Sequence, residues 1–134
     1  MAVMDASVFV AMLNPHEPGN TASKAWFQQE LLQGKKISAP AILMAEAAAA
    51  LSRGVGDKAQ AHQMIRQLKL STSIQLYPLS LALAVQAAVI AADYRIRGCD
   101  SVYVALAQQL GETLVTWDKE QLQRGMAVIL TTQP

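Results

Sequence analysis

Short apolar runs recur along this chain, each followed by a stretch whose apolar residues fall at helical spacing. The first run, Met1-Ala2-Val3-Met4, reaches Asp5 and passes into a helical pattern that ends near Leu13. Lys36-Ile37-Ser38-Ala39, Ile74 to Tyr77, Thr113-Leu114-Val115-Thr116 and Met126 to Leu130 read as further short strands. Between them the spacing predicts a helix capped by Asn20 or Thr21 that ends at Gly34, and one that takes Pro40 into its first turn and stops at Gly54. Further helices are predicted over 57–70, from Ser80 to about Arg95 and over 100–110, with a short one over 118–124. In the 57–70 helix Ala61, Met64, Ile65 and Leu68 share one face. The helix after Ser80 is apolar nearly all round, which predicts packing on several sides.

Strands alternating with helices specify a parallel sheet covered on both faces. The expected architecture is therefore a three-layer α/β/α fold around a parallel sheet of four to five strands, a single domain over 1–134. A chain of 134 residues buries about two-thirds of its unfolded surface without staples. The lone Cys99 excludes an internal disulfide, reads as a small hydrophobe and suits a reducing cytoplasm. The apolar start lacks basic residues and is broken by Asp5, so it does not read as a secretory signal. The longest apolar stretches, 39–51 and 79–92, carry Glu46 and Gln86 and fall short of the ~20 residues a spanning helix needs. A soluble, cytoplasmic protein with no membrane partner is expected. Net charge is +1, so any polyanion must be held by a local patch.

Four of the ten acids sit in segments that otherwise read as buried: Asp5, Glu46, Asp100 and Asp118. Asp5, Asp100 and Asp118 stand where helices begin, so each has an ordinary explanation as a cap or a first-turn charge. Glu46 is no cap, and Ile42, Leu43, Ala49 and Ala50 at helical spacing offer it no cation, so it either faces solvent from an Ala-rich helix or has a partner distant in sequence. Burying it unpaired would cost several kcal/mol. If Asp5 and Asp118 close neighbouring parallel strands, the four acids can meet in the crevice at the carboxyl ends of the sheet, where ligands bind in open α/β folds. Two carboxylates about 5 Å apart repel by ~3 kcal/mol at an effective dielectric near 20, so four together must take up protons or bind a cation. An oxygen-only cluster selects a hard cation, Mg²⁺ or Mn²⁺, of the kind that serves phosphoryl chemistry.

The fragments M-D-A-S-V, A-P-A-I-L-M-A-E, R-G-C-D-S-V-Y-V-A-L-A and L-V-T-W-D-K-E-Q-L, in this order, resemble a PIN domain, and most closely the small VapC-type toxins of toxin–antitoxin pairs. The resemblance covers essentially the whole chain. It implies that Asp5, Glu46, Asp100 and Asp118 form the catalytic and metal-binding quartet, with Ser7 and Thr116 supporting it. It also implies a Mg²⁺- or Mn²⁺-dependent endoribonuclease acting on RNA, a sheet with its first strand at the centre, a homodimer, and a cognate antitoxin that blocks the site. A cationic rim is expected for phosphate, with Arg53, Arg95 and Arg97 as candidates. Asp93 and Arg97 stand four apart and could instead form a local pair.

Two other readings fit part of the pattern. A non-catalytic binding module would share the fold without needing intact acids. A haloacid-dehalogenase-like phosphatase would use Asp5 as nucleophile, but that pattern wants an acid at position 7, where this chain has Ser7.

Overall fold

The computed structural model describes residues 1–134, apart from the side chain of Val55. Five parallel strands form one sheet: β1 (Ala2–Met4), β2 (Ile37–Pro40), β3 (Ile74–Tyr77), β4 (Thr113–Val115) and β5 (Thr131–Thr132), in the order β3-β2-β1-β4-β5. The first strand is thus central, and every residue of β1 and β2 is buried. Side chains alternate across it: Ala2 and Met4 join the core on one face, Val3 the core on the other. The first face is covered by α1 (Ala6–Leu13), α2 (Asn20–Leu32), α3 (Leu43–Ala50) and α4 (Lys58–Leu70). The second carries α5 (Leu81–Tyr94) and α6 (Gly98–Leu110). This is the expected three-layer α/β/α arrangement, and among the described residues no helix is long and apolar enough to cross a membrane.

Five local expectations need correction. Pro40 ends β2 instead of opening the next helix, which begins at Leu43. β1 pairs with β2 only as far as Ser38, so on that side the N–H that proline lacks has no ladder partner to lose. Neither Asn20 nor Thr21 caps α2, whose cap is Gly19; the Asn20 amide instead donates to the carbonyls of Ala11 (2.7 Å) and Met12 (3.2 Å), tying α2 to the end of α1. Residues 126–130 form a turn, because the amides of Val128 and Ile129 both return to Gly125 O, and the last strand is Thr131–Thr132. Cys99 is exposed and not a core residue. Finally, α5 packs on one side only, burying Leu83, Ala87 and Ile90 while Leu81, Val85 and Val89 remain 82%, 57% and 53% exposed.

Candidate active site

Because β1 and β4 run side by side with Met4 opposite Val115, the residues that follow them, Asp5 and Thr116, come level at the carboxyl edge of the sheet. The amide of Asp5 extends the ladder to Val115 O (3.0 Å), and its side chain then starts α1 by accepting from the Ser7 amide (3.2 Å). Capping is only part of its environment. The same oxygen, Oδ2, accepts from Ser7 Oγ (2.5 Å) and Thr116 Oγ1 (2.9 Å), while Oδ1 accepts from Gln121 Nε2 (3.2 Å). Asp5 is 3% exposed, so these donors replace water and fix the plane of the carboxylate.

The two hydroxyls also shape the chain after β4. Ser7 Oγ accepts from the Trp117 amide (3.0 Å) and Thr116 Oγ1 from the Asp118 amide (3.0 Å), so the hydroxyls that hold Asp5 also fix the backbone at Asp118. Asp118 Oδ1 then accepts the Gln121 amide (2.8 Å), where the π turn Gln121–Gly125 begins, leaving Oδ2 for other partners.

Glu46 approaches from α3, and its missing partner lies far away in sequence: the hydroxyl of Tyr103, buried on α6, donates to Oε2 at 2.8 Å. Burial pushes the Glu46 carboxyl above the usual range; the Tyr103 bond opposes this and the charge of Asp5 adds to it. Asp100, in the first turn of α6, is pushed up to about 6, chiefly by burial and then by the charge of Asp5, with Arg97 opposing and Asp118 adding. Glu46 and Asp100 therefore both feel Asp5, and Asp100 also feels Asp118.

Arg97 stands in this field. Its Nε donates to Asp100 Oδ2 (3.0 Å) and its Nη2 to Asp118 Oδ2 (3.0 Å), with Glu120 at 3.9 Å. The local pair with Asp93 does not form; Arg97 turns to the acids, and they hold its guanidinium more firmly protonated, Asp100 first among them. Arg95, in the left-handed conformation (φ 55°) that ends α5, offers its carbonyl to Arg124, which also pairs with Glu120. Arg53 lies on a π turn, Leu51–Val55, that extends α3, and lines a depression shared with Glu46.

The donor set fits a hard divalent ion in chemistry, being carboxylate oxygens without thiol or imidazole. Its present arrangement is not a finished cage: among the described residues no three acid, histidine or cysteine side chains are placed to enclose one ion. What Asp100 and Asp118 already share is a cation, the guanidinium of Arg97.

Two residues at the site, Tyr103 and Gln121, were not singled out from the sequence. Tyr103 follows Asp100 by three and so shares its side of the helix, a spacing that could have flagged it. Gln121 is 1% exposed on a short turn too brief to show a periodicity. Beside the acids a groove of about 780 Å³ runs from Ser7 and Glu46 past Trp117 to Glu17 and Lys119. The Trp117 indole donates to Ser23 Oγ (2.8 Å) and lies against Gly19, where a Cβ would come within 2.6 Å of the ring.

No curated protein matches this sequence. Among solved structures the chain is similar to VapC20 of Mycobacterium tuberculosis, described as a sarcin–ricin loop cleaving toxin: TM-score 0.73, 18% identity, covering 89% of this chain and 91% of that one. It is similar to VapBC2 of Rickettsia felis, bound to a DNA fragment from its promoter, with TM-score 0.74 and 15% identity over 98% and 97% of the two chains. It is also similar to FitAcB of Neisseria gonorrhoeae, with TM-score 0.68 and 21% identity over 98% and 96%. At these identities the likeness establishes the fold. The family model for the PIN domain matches residues 2–125, nearly the whole chain, and by that match the chain belongs to the PIN domain family.

Proposed function

We propose that this protein is a divalent-metal-dependent endoribonuclease, the toxin of a toxin–antitoxin pair, acting in the cytoplasm as one domain over 1–134. The observation that carries the reading is the chain of linked acids on four different segments: the charge of Asp5 acts on both Glu46 and Asp100, and Asp118 acts on Asp100 and shares Arg97 with it. Capping accounts for Asp5 and Asp118 singly; it gives no reason for Glu46 to stand half-buried near Asp5. VapC20, described as a loop-cleaving toxin, supports the activity, and the similarity to a toxin–antitoxin complex from Klebsiella pneumoniae supports the partner.

In this reading Asp5, Asp100 and Asp118 hold the ion directly or through water. When bound, Mg²⁺ or Mn²⁺ activates a water and stabilises the oxygen that leaves the scissile phosphodiester. Ser7, Thr116 and Gln121 keep Asp5 oriented, so that one lone pair of Oδ1 remains for the ion. Glu46, with one oxygen committed to Tyr103, uses the other to orient the attacking water and receive its proton. Arg53 and Arg95 at the rim neutralise phosphate as RNA approaches.

The experiment is cleavage of a mixed RNA by wild type, D5N and E46Q in Mg²⁺, with EDTA as control. Both variants folded yet cleaving like wild type would remove the assignment. A phosphatase using Asp5 as nucleophile is disfavoured by the burial of that carboxylate and by the three donors on Oδ2; a trapped aspartyl-phosphate would restore it. A binding module would hold RNA without cutting it.

A homodimer is part of the same reading. The exposed line of Leu81, Val85 and Val89 recurs every four residues along one side of α5, a face that a second copy of this chain would cover.

A further inference from the structure

We propose that Arg97 serves as the chain's own counter-cation for the acid cluster, and that a divalent ion loads only when this guanidinium swings away. The inference rests on the metal reading of the site above. Its basis is a pair of contacts: Arg97 spans Asp100 and Asp118 through two nitrogens at 3.0 Å each, and its bond to Asp118 crosses twenty-one positions of sequence. A cation held equally by Asp100 and Asp118 stands where an ion's charge belongs.

The backbone presents Arg97 for this. Ile96 is buried, anchoring the loop from one side. The carbonyl of Arg97 itself accepts the Ser101 amide (2.9 Å) as α6 begins, and the preceding turn is held by Arg124 on Arg95 O. Only the side chain of Arg97, 68% exposed, is left free to move, so release requires no rearrangement of the fold. A seated guanidinium cannot at the same time hold a phosphate. The phosphate contact expected of Arg97 therefore belongs to the loaded state, in which the arm has left the acids and points to the rim.

Metal binding then becomes a competition, and the apparent affinity is scaled down by the fraction of molecules with the arm released. The test is Mn²⁺ binding by calorimetry and by the EPR signal of free Mn²⁺, on wild type, R97A, R97Q and R95A at fixed ionic strength. R97A and R97Q should bind Mn²⁺ about tenfold more tightly, while R95A should change by less than about twofold. Among the described residues Arg95 makes no ion pair, so it controls for the loss of one charge nearby. In wild type, the Arg97 Nε–H resonance should shift on titration with Mg²⁺ in step with occupancy. Equal binding by wild type and R97A would overturn the displacement while sparing the nuclease reading. Tightening in R95A as large as in R97A would reduce the effect to the general field and overturn it too. No Mn²⁺ bound by any of the four would remove the metal reading itself.

Discussion

The Tyr103 hydroxyl donates to Glu46 Oε2 at 2.8 Å, joining α6 to α3 across the carboxyl edge of the sheet and giving a half-buried glutamate the partner that its own helix lacks. Tyr103 is fully buried, so the bond is shielded from water. Y103F should therefore raise the Glu46 carboxyl further, since the bond that opposes burial is lost. The acid limb of the pH–rate profile for RNA cleavage should move to higher pH, with a stability loss of about 1–2 kcal/mol in urea unfolding. A profile unmoved in Y103F, with activity retained, would show that Glu46 does not titrate in the reaction.

Thr116 makes a second such test. Its Oγ1 both donates to Asp5 Oδ2 (2.9 Å) and accepts the Asp118 amide (3.0 Å), so one hydroxyl fixes two of the acids. T116V keeps the shape and strands both partners, which should cost about 2–3 kcal/mol and lower cleavage by at least about tenfold. T116S should recover most of both, as measured by urea unfolding and cleavage rate.

These two bonds also mark what the sequence could and could not say. The strand–helix alternation follows from patterns local in sequence, whereas the central place of β1 rests on the family resemblance alone, and it is the pairing of β1 with β4 that brings the residues after them level. The bond between Tyr103 and Glu46 spans fifty-seven positions and depends on how α6 crosses the edge, which no local period encodes. The errors have the same source. Pro40 fits a helix start by composition, but the end of the β1–β2 ladder decides its place. α5 reads as buried all round because its exposed apolar face is written in the same residues as its core face. Arg97, read as a rim residue for phosphate, is claimed by acids that only folding brings to it.

Gly19 tests the wall of the groove. A Cβ there would lie 2.6 Å from Trp117 Cε2 and Nε1, too close for any real contact, so G19A must push the indole away from Ser23. Overpacking of this kind costs about 1–3 kcal/mol. Trp117 fluorescence should shift to longer wavelength, measured against a W26F background that removes the other indole. An unchanged spectrum would mean that the loop carrying Gly19 yields without moving the ring.

The exposed line on α5 gives a prediction about assembly. V85E with V89E places two charges on a face that is more than half exposed in the single chain, so folding of the monomer should change by less than about 1 kcal/mol. If two copies meet there, the pair of charges should shift the protein from dimer to monomer in analytical ultracentrifugation. A wild-type chain already monomeric at tens of micromolar would remove the dimer.

The pH dependence of stability should have opposite signs without and with metal. Asp100 is raised from 3.8 to about 6 in the folded, metal-free protein, so between these values the native state holds a proton that the unfolded chain has released. The stability contributed by the protonated form is full below about pH 4 and is lost as pH rises through about 6. Glu46 is shifted in the same direction and adds to the trend. In EDTA, therefore, D100N should melt at least about 3 °C above wild type near pH 7, with the difference closing toward pH 4. In Mn²⁺ the order should invert, because the ion binds only deprotonated carboxylates and stabilises wild type more as pH rises. Differential scanning calorimetry across this range, with and without Mn²⁺, reads both slopes. If D100N melts below wild type in EDTA at neutral pH, the Arg97 bridge outweighs burial and the repulsion of Asp5 at Asp100, and the raised carboxyl is not what sets the slope.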